Sequence, residues 1–589
     1  MSPPAAGEHV DGRRRPRLHG LARLAALVAV AAAAVIVVET LGRGTAPGKA
    51  LAESFASAWA RHDWPALYAD VGAQARATVP YSRFASDYSQ AYATATVTGA
   101  RVLPDVRLVG GSEVVSLRIR TRVFGTLRQQ FTLPLTGSGG DTRIIWHQNL
   151  AFPGLYPGET IHRSTIAPSR GELLARDGLP LAQFSSMRDI IGAVGLASGS
   201  QLERLEADGF PADTETGLDG LEYLFQGQLA GSPGGLLFAG PRLIARKRPV
   251  AGEDVKTSID PELQDDASSA LAATGTTGGI VLMVPKNGEL LALAGSPLSQ
   301  TQPPGSTFKI VTATGVLESR IATLSSSFPY GTYALIDGYK LHNSDREYCG
   351  GTLINAFAVS CNSVYAPLGV KLGAQRLVAT AERYGFNSPS PIAIAAESTI
   401  PQASDITYPV ELGSSAIGQY QDLASPLQML RIAATVALGG LEPVPTFRLV
   451  DDPRFPRVIP AWVALTLRKM MIAVVRYSDG TGVAAQLPGV IVAGKTGTAQ
   501  ITVPSCPGGS TGASGVTGVE TDATPSGATG PCADIPNNPY NTDAWFVSFA
   551  PAYHPKIAVA VLLDHDGAGG TSAAPVAREL IAEALALGY

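Results

Sequence analysis

A serine and a lysine three residues apart, Ser306 and Lys309, stand in the run Pro304-Gly305-Ser306-Thr307-Phe308-Lys309. The Pro-Gly pair reads as a turn, and Ile310, Val311, Ala313, Val316 and Leu317 read as a buried helix behind it. A spacing of three puts both side chains on one helix face. A lysine kept partly neutral by burial can take the proton of the serine hydroxyl, which turns that hydroxyl into a nucleophile. Taken alone, the pair is equally the ordinary start of a helix.

Two later groups change that. Ser360-Cys361-Asn362 follows, and then Lys495-Thr496-Gly497-Thr498. Ser-x-x-Lys, Ser-x-Asn and Lys-Thr-Gly in this order form the three-part signature of serine enzymes that react with penicillin. On these residues the chain resembles the transpeptidase domain of penicillin-binding proteins. The resemblance extends to Thr257-Ser258-Ile259-Asp260 with Gln264, Gly288-Glu289-Leu290-Leu291-Ala292, Ile417-Gly418-Gln419, and Trp545-Phe546 before Ala550-Pro551.

The resemblance implies roles. Ser306 is the nucleophile and Lys309 its base. Ser360 relays a proton to the leaving group, while Asn362 holds the substrate amide and fixes Lys309. Lys495 supplies positive charge beside Ser360 and attracts the substrate's terminal carboxylate. Thr496 and Thr498 offer that carboxylate their hydroxyls, and Gly497 lets the strand approach the ligand as an edge. The backbone N–H groups of Ser306 and Thr498 form the oxyanion site. The implied substrate is the D-alanyl-D-alanine end of a peptidoglycan stem peptide, held as an ester on Ser306 and passed to an amine of a neighbouring stem. Beta-lactams acylate the same serine. No metal or organic cofactor is required, and His342 reads as a loop residue. Two rivals share the signature: a carboxypeptidase, in which water resolves the ester, and a beta-lactamase, for which Glu397 would have to activate water. A third, a non-catalytic beta-lactam sensor, would need a cytoplasmic signalling part.

With 589 residues the chain holds several domains, and 45% apolar with 16% charged residues is a globular composition. A formal net charge of -4 gives no support for a nucleic-acid partner. Arg13, Arg14, Arg15 and Arg17 precede an apolar run, 21–38, broken only by Arg23. At about 1.5 Å per residue the run spans roughly 27 Å, close to the ~30 Å hydrocarbon core of a bilayer. The expectation is a cytoplasmic tail over 1–20, one transmembrane helix over 21–41, and everything beyond on the extracytoplasmic side of the cell membrane. The rival, a cleaved signal peptide, has only Val37-Val38-Glu39-Thr40 as its cleavage site, which lacks small residues.

The elements that must position the motifs make a multidomain α+β chain. Residues 48–158 begin with an amphipathic helix over 50–64 and turn to period-two strands. The clearest, 116–124, sets Leu117, Ile119 and Val123 against Arg118, Arg120 and Arg122. This order, with Trp146, Leu155 and Pro157-Gly158, is similar to the cone-like nuclear-transport-factor-like domain of some beta-lactam-resistant penicillin-binding proteins, read here as a spacer. Pro168-Ser169-Arg170-Gly171-Glu172 and Arg176-Asp177-Gly178 resemble the pedestal, or dimerisation, segment, expected over 160–255. The transpeptidase domain is expected over 256–589, an antiparallel sheet flanked by helices. Its strands are expected over 279–284, 289–294, 490–498, 544–549 and 557–563, with a closing helix over 575–587. Asp63 and Glu53 read as a helix surface rather than a glycosyltransferase pair. The chain thus resembles a class B, transpeptidase-only protein, whose glycan strands come from a separate glycan-polymerising membrane protein.

Four cysteines, Cys349, Cys361, Cys506 and Cys532, fall on the outer side, where an even number is compatible with disulfides. None has the spacing of a metal site. Cys506 and Cys532 bracket a Gly/Ser/Thr-rich stretch and are expected to close it, stabilising the fold by up to about 3.5 kcal/mol on the chain-entropy model. Non-reducing peptide mapping of exported protein checks this: the two cysteines should appear in one linked peptide, and alkylatable thiols would refute it.

Overall fold

The structure is a computed structural model and describes residues 46–450, 452–501 and 541–589. The apolar run 21–38 and the pair Cys506 and Cys532 lie outside the described residues. Among the described residues no helix is long and apolar enough to cross a membrane. The chain divides into two compact units. One comprises the described part of 1–169 with Leu196–Thr214 and Gly231–Gly252; the other comprises Arg170–Gly195, Glu215–Ala230 and Glu253–Tyr589. The segment 160–255 therefore contributes to both.

In the first unit, the single helix expected over 50–64 is two. Helix α1 (Ala46–Ala60) stops before His62, whose φ of 61° is left-handed. Helix α2 (Trp64–Asp70) then starts afresh. The Asp63 carboxylate accepts from the Ala66 N–H at 3.1 Å, and Pro65 fits the first turn, where no backbone donor is needed. Helix α3 (Tyr81–Thr94) leads into an antiparallel meander of β1 (Val97–Val109), β2 (Ser112–Thr121) and β3 (Gly125–Thr136), edged by β4 (Arg143–Ile144). Strand β2 alternates as its sequence demands, with Leu117 and Ile119 buried and Arg118 and Arg120 exposed. Val123 lies in the turn beyond it. Phe55 and Trp59 of α1 meet Phe131 of β3 edge-on at 5.5 and 5.7 Å, and the Trp59 indole N–H is satisfied by the Ala151 carbonyl at 3.1 Å. A second sheet of this unit has the order β7-β6-β5, formed by β5 (Ile161–Ile166), β6 (Gly234–Ala239) and β7 (Arg242–Lys247).

The second unit is built on a five-stranded antiparallel sheet. Helix α4 (Pro261–Thr274) precedes β8 (Gly278–Met283) and β9 (Leu290–Gly295). Helix α5 (Lys309–Glu318) follows, then two small strand pairs. In these, β10 (Ser327–Gly331) joins β13 (Cys349–Thr352), and β11 (Tyr333–Ile336) joins β12 (Tyr339–His342). Next come α6 (Leu353–Ala358), α7 (Asn362–Leu372), α8 (Pro426–Ala437) and α9 (Ala461–Arg476). The chain then returns to the sheet as β14 (Ala493–Gln500), β15 (Thr542–Ala550) and β16 (Ile557–Leu563), and closes with α10 (Ala573–Ala586). The strand order is β9-β8-β16-β15-β14. Strands β8, β15 and β16 are buried at every residue, because helices cover both faces. Ile280 and Leu282 of β8 join the core with Leu580 and Ile581 of α10, whereas Val281 and Met283 join the one with Leu427 and Leu430 of α8. Such strands read as continuous apolar runs.

Helix α8 is buried all round, as a helix between a sheet and other helices must be. It nonetheless carries Arg431, whose guanidinium donates to the Glu442 carboxylate at 2.7 Å and also to Gln428. Both charges are buried, and burial raises the Glu442 pKa while Arg431 opposes the rise. Removing one partner of such a pair leaves the other uncompensated. Glu442→Ala is expected to destabilise the second unit by about 3–5 kcal/mol, read as a lowered thermal midpoint. An unchanged midpoint would show that the pair is not needed.

Candidate active site

Ser306 sits in a 3-10 turn, Gly305–Phe308, that runs straight into α5, whose first residue is Lys309. The turn is held from several sides. Gly305 takes a φ of 52°, and its N–H donates to the Gly418 carbonyl at 2.8 Å. A Cβ at Gly305 would stand 3.0 Å from the Thr498 carbonyl oxygen, so a side chain has neither the conformation nor the room. Phe308 is buried edge-on to Phe386 at 5.5 Å. Only Ser306 in this turn keeps partial access to solvent.

Behind it the Lys309 ammonium position is completely buried. Its Nζ lies 2.9 Å from Ser306 Oγ, 2.6 Å from Asn362 Oδ1 and 3.3 Å from Ser360 Oγ, and it also donates to the Ser360 carbonyl. Lys495 is equally buried and reaches Ser360 Oγ at 2.8 Å and the Thr496 carbonyl at 3.0 Å. The Ser360 hydroxyl thus bridges two amines. Burial drives the Lys309 pKa well below the ordinary lysine value; the Lys495 charge pushes the same way, and Glu347 opposes it. Burial brings Lys495 down to about 7.

Ser360 links α6 to α7 with a φ of 61°, a left-handed conformation that costs a non-glycine residue of order 1 kcal/mol. Its neighbours impose it. The Ser360 and Cys361 amides donate to the Phe357 and Ala356 carbonyls at 3.1 and 2.8 Å. Cys361 forms a disulfide with Cys349 of β13. The Asn362 amide nitrogen donates to the His342 carbonyl at 2.8 Å. Buried Asn343 accepts from the Ser363 N–H at 2.7 Å and donates to the Gly331 and Glu347 carbonyls at 2.8 and 2.7 Å. His342, expected in a loop, instead ends β12.

Strand β14 is the open edge of the sheet and passes along the Ser306 turn. A Cβ at Gly497 would meet Trp545 Cβ at 2.8 Å and both the Pro304 oxygen and Thr307 Cγ2 at 3.0 Å. Glycine is therefore demanded by the close packing of the turn against the strand, before any ligand arrives. The Thr496 hydroxyl is 2.6 Å from that of Thr481, and the Thr481 N–H donates to the Ala358 carbonyl at 3.1 Å. Thr498 keeps part of its surface open.

The structure thus brings Ser306, Lys309, Ser360, Asn362 and Lys495 into one hydrogen-bonded group, with Thr496, Gly497 and Thr498 on the strand beside it. Glu397 is exposed, and no hydrogen bond among the described residues joins it to this group. Asn343 and Thr481 were missed by sequence reading: neither stands in a recognisable pattern, and each acts through segments distant in sequence.

A serine hydroxyl bonded to a buried, proton-poor lysine on the next helical turn, beside the open edge of an antiparallel sheet, defines a serine acyl-transfer enzyme. The family model of the penicillin-binding protein transpeptidase domain matches residues 278–582, and the chain belongs to that family. Similar curated proteins include the peptidoglycan D,D-transpeptidase PbpA of Mycolicibacterium smegmatis, 29% identical over 57% of this chain and 73% of that protein. The peptidoglycan D,D-transpeptidase MrdA of Acinetobacter baumannii is 26% identical over 65% of this chain and 62% of its own. Among solved structures, PBP2 of Pseudomonas aeruginosa aligns with a TM-score of 0.57 at 24% identity, covering 72% of this chain and 96% of that one. PBPA of Mycobacterium tuberculosis aligns with a TM-score of 0.54 at 24% identity, covering 71% and 99%. At that identity the two structures speak for the shared fold.

The disulfide places a covalent strap between Ser360 and Asn362. Breaking it should remove up to about 3 kcal/mol of stability for a loop of this size, and it should slow acylation by a beta-lactam by up to about 10²-fold as Ser360 drifts from the two amines. Stopped-flow acylation and melting of Cys349→Ser, with and without reductant on the wild type, check this. Equal rates in all samples would show that the strap is not needed for the site.

Proposed function

We propose that this chain is a peptidoglycan D,D-transpeptidase working through an ester on Ser306 and trapped there by beta-lactams. The observation that carries the reading is the 2.9 Å contact between Ser306 Oγ and the Nζ of a completely buried Lys309. A neutral amine at that distance is a base for the hydroxyl. Lys309 takes the Ser306 proton as Oγ attacks the carbonyl carbon of the penultimate D-alanine. The N–H groups of Ser306 and Thr498 stabilise the oxyanion. The C–N bond then breaks, and the departing amine takes a proton through the Ser360 hydroxyl, which the two lysines resupply. The amine of a second stem attacks the ester, gives up a proton along the same path, and leaves a new amide while Ser306 regains its hydrogen.

Lys495 in its charged form lowers the proton affinity of its neighbours and attracts the substrate's terminal carboxylate, which Thr498 and Thr496 would receive. Asn362 holds Lys309 and the substrate amide. A beta-lactam opens on the same serine, and as no carboxylate among the described residues is hydrogen-bonded to the catalytic group to activate water, its ester is expected to persist. Residues 48–158 are read as a nuclear-transport-factor-like spacer. The segment 160–255 is read as a pedestal, and the apolar run 21–38 as the single membrane anchor that keeps the transpeptidase domain, 256–589, on the outer side. A separate glycan-polymerising protein would then supply the strands.

Ser306→Ala is expected to abolish covalent labelling by a fluorescent penicillin while the fold is kept; label on the mutant would refute the assignment. Lys309→Ala should slow acylation by about 10²–10⁴-fold, the usual worth of a positioned base. The acylation rate should fall in acid, as Lys309 takes up a proton and ceases to be a base. It should also fall in alkali as Lys495, with its pKa of about 7, loses the charge it contributes. A rate that does not fall in acid would place the base elsewhere, and one that does not fall as pH rises past about 7 would show that the Lys495 charge is not needed.

A further inference from the structure

The outer face of the first unit's meander concentrates positive charge, in a chain whose formal net charge is -4. Along β2, Val115, Leu117 and Ile119 enter the core, so Arg118 and Arg120 project from the opposite side. The strand register sets Arg118 directly between Arg101 of β1 and Arg128 of β3. Exposed arginines thus stand abreast on three neighbouring strands, a row about 10 Å long at ~4.8 Å per strand. Arg107 and Arg120 are exposed on the same side. Among the described residues no hydrogen bond or ion pair engages any of these guanidiniums. By contrast, Arg122, just beyond β2, pairs with Asp208, and Arg242 pairs with Glu159. Like charges directly opposite one another in a sheet destabilise it, and a bound anion would relieve that repulsion.

A cavity of about 800 Å³ opens on the same face beside Arg128. Ser112, Ser116 and Thr132 line it from the sheet, and Tyr156 lines it from the segment that follows the meander. Asp105 is the one carboxylate in that lining. Hydroxyls around a cavity next to a row of guanidiniums suit a phosphate that carries a small polyol. The sequence puts this face near a source of such groups. The segment 39–45 separates the apolar run 21–38 from the start of α1, and it can span at most about 25 Å. Lys49 of α1 lies near enough to Glu113 of β2 for its charge to act there. Arg118 is about 17 Å along the strand from Glu113. A protein partner fits less well: the core of a protein interface is largely apolar, and no exposed large apolar side chain stands among the arginines of the row.

We propose that the outer face of β1–β3, with Arg101, Arg118 and Arg128 at its centre, docks on the anionic phospholipid headgroups of the bilayer in which the chain is anchored. This rests on the reading of 21–38 as an anchor and is independent of the chemistry at Ser306. Docking would lay the first unit on the membrane surface instead of leaving it to swing on its tether.

The test uses the full chain in lipid nanodiscs, made either of phosphatidylcholine alone or of phosphatidylcholine and phosphatidylglycerol in equal parts. Phenylglyoxal modifies accessible guanidiniums, and mass spectrometry reads the rate at each arginine. Arg101, Arg118 and Arg128 should react about fivefold more slowly in the anionic discs, the gain expected of one arginine at a charged bilayer surface. That protection should fade as added salt screens the charges. Arg320, exposed in the second unit, should react equally in both discs. Arg118→Gln should weaken the protection of Arg101 and Arg128, while acylation by fluorescent penicillin shows that the variant is folded. Equal rates along the row in the two lipids overturn the docking. So does a row protected by dissolved glycerol 1-phosphate in neutral discs but not by anionic discs, which would assign the face to a soluble phosphate compound. A chain that does not enter the discs overturns the anchor and the docking with it. Protection of the row in a chain that penicillin never acylates supports the docking and overturns the transpeptidase reading alone.

Discussion

The catalytic unit depends on keeping two amines out of water. A lysine at the surface, with a pKa near 10.4, is neutral in only about one molecule in 2,500 at pH 7, too few to serve as a base. Moving an ammonium into a protein interior costs several kcal/mol per ion, and the group sheds its proton rather than bear that cost. Lys309 and Lys495 are both completely buried, and the Lys495 charge, across the Ser360 hydroxyl, adds to the desolvation that lowers Lys309. The fold therefore favours the free-base form of Lys309 beside Ser306, and it leaves Lys495 near the balance point at neutral pH.

Burial of that kind has to come from several directions. Helix α5 provides Lys309, the α6–α7 junction provides Ser360 and Asn362, and β14 provides Lys495. The junction is the least favourable piece, because Ser360 is left-handed. It is accordingly the most heavily strapped: by the Cys349–Cys361 disulfide, by Asn343 with three hydrogen bonds, and by the His342 carbonyl on Asn362. These straps all come from the segment between Ser306 and Ser360.

The sheet serves as the reference frame. With β8, β15 and β16 covered on both faces, the interior strands cannot slide without exposing apolar surface, which leaves β14 as a rigid open edge. The Ser306 turn is packed onto that edge at Gly497 so closely that no other residue fits. Nucleophile and substrate-binding strand are therefore located by the same contact.

Local pattern determined much of this. The three motifs were legible because acyl transfer requires particular side chains within a few residues of each other. Strand β2 was legible because its arginines and aliphatics alternate, and β16 because an apolar run bounded by turns has few other readings. What lay beyond the sequence involves partners far apart along the chain. Examples are the break of the first helix at His62, the pairing of Cys361 with Cys349, the roles of Asn343 and Thr481, and the division of 160–255 between two units. The same holds for the chemistry itself. The sequence by itself determined which residues could react, since side-chain identity is a local property. Only the tertiary structure decided that the proton affinity of Lys309 is lowered, since it is set by the water excluded by segments on every side and by a second amine supplied from across the fold.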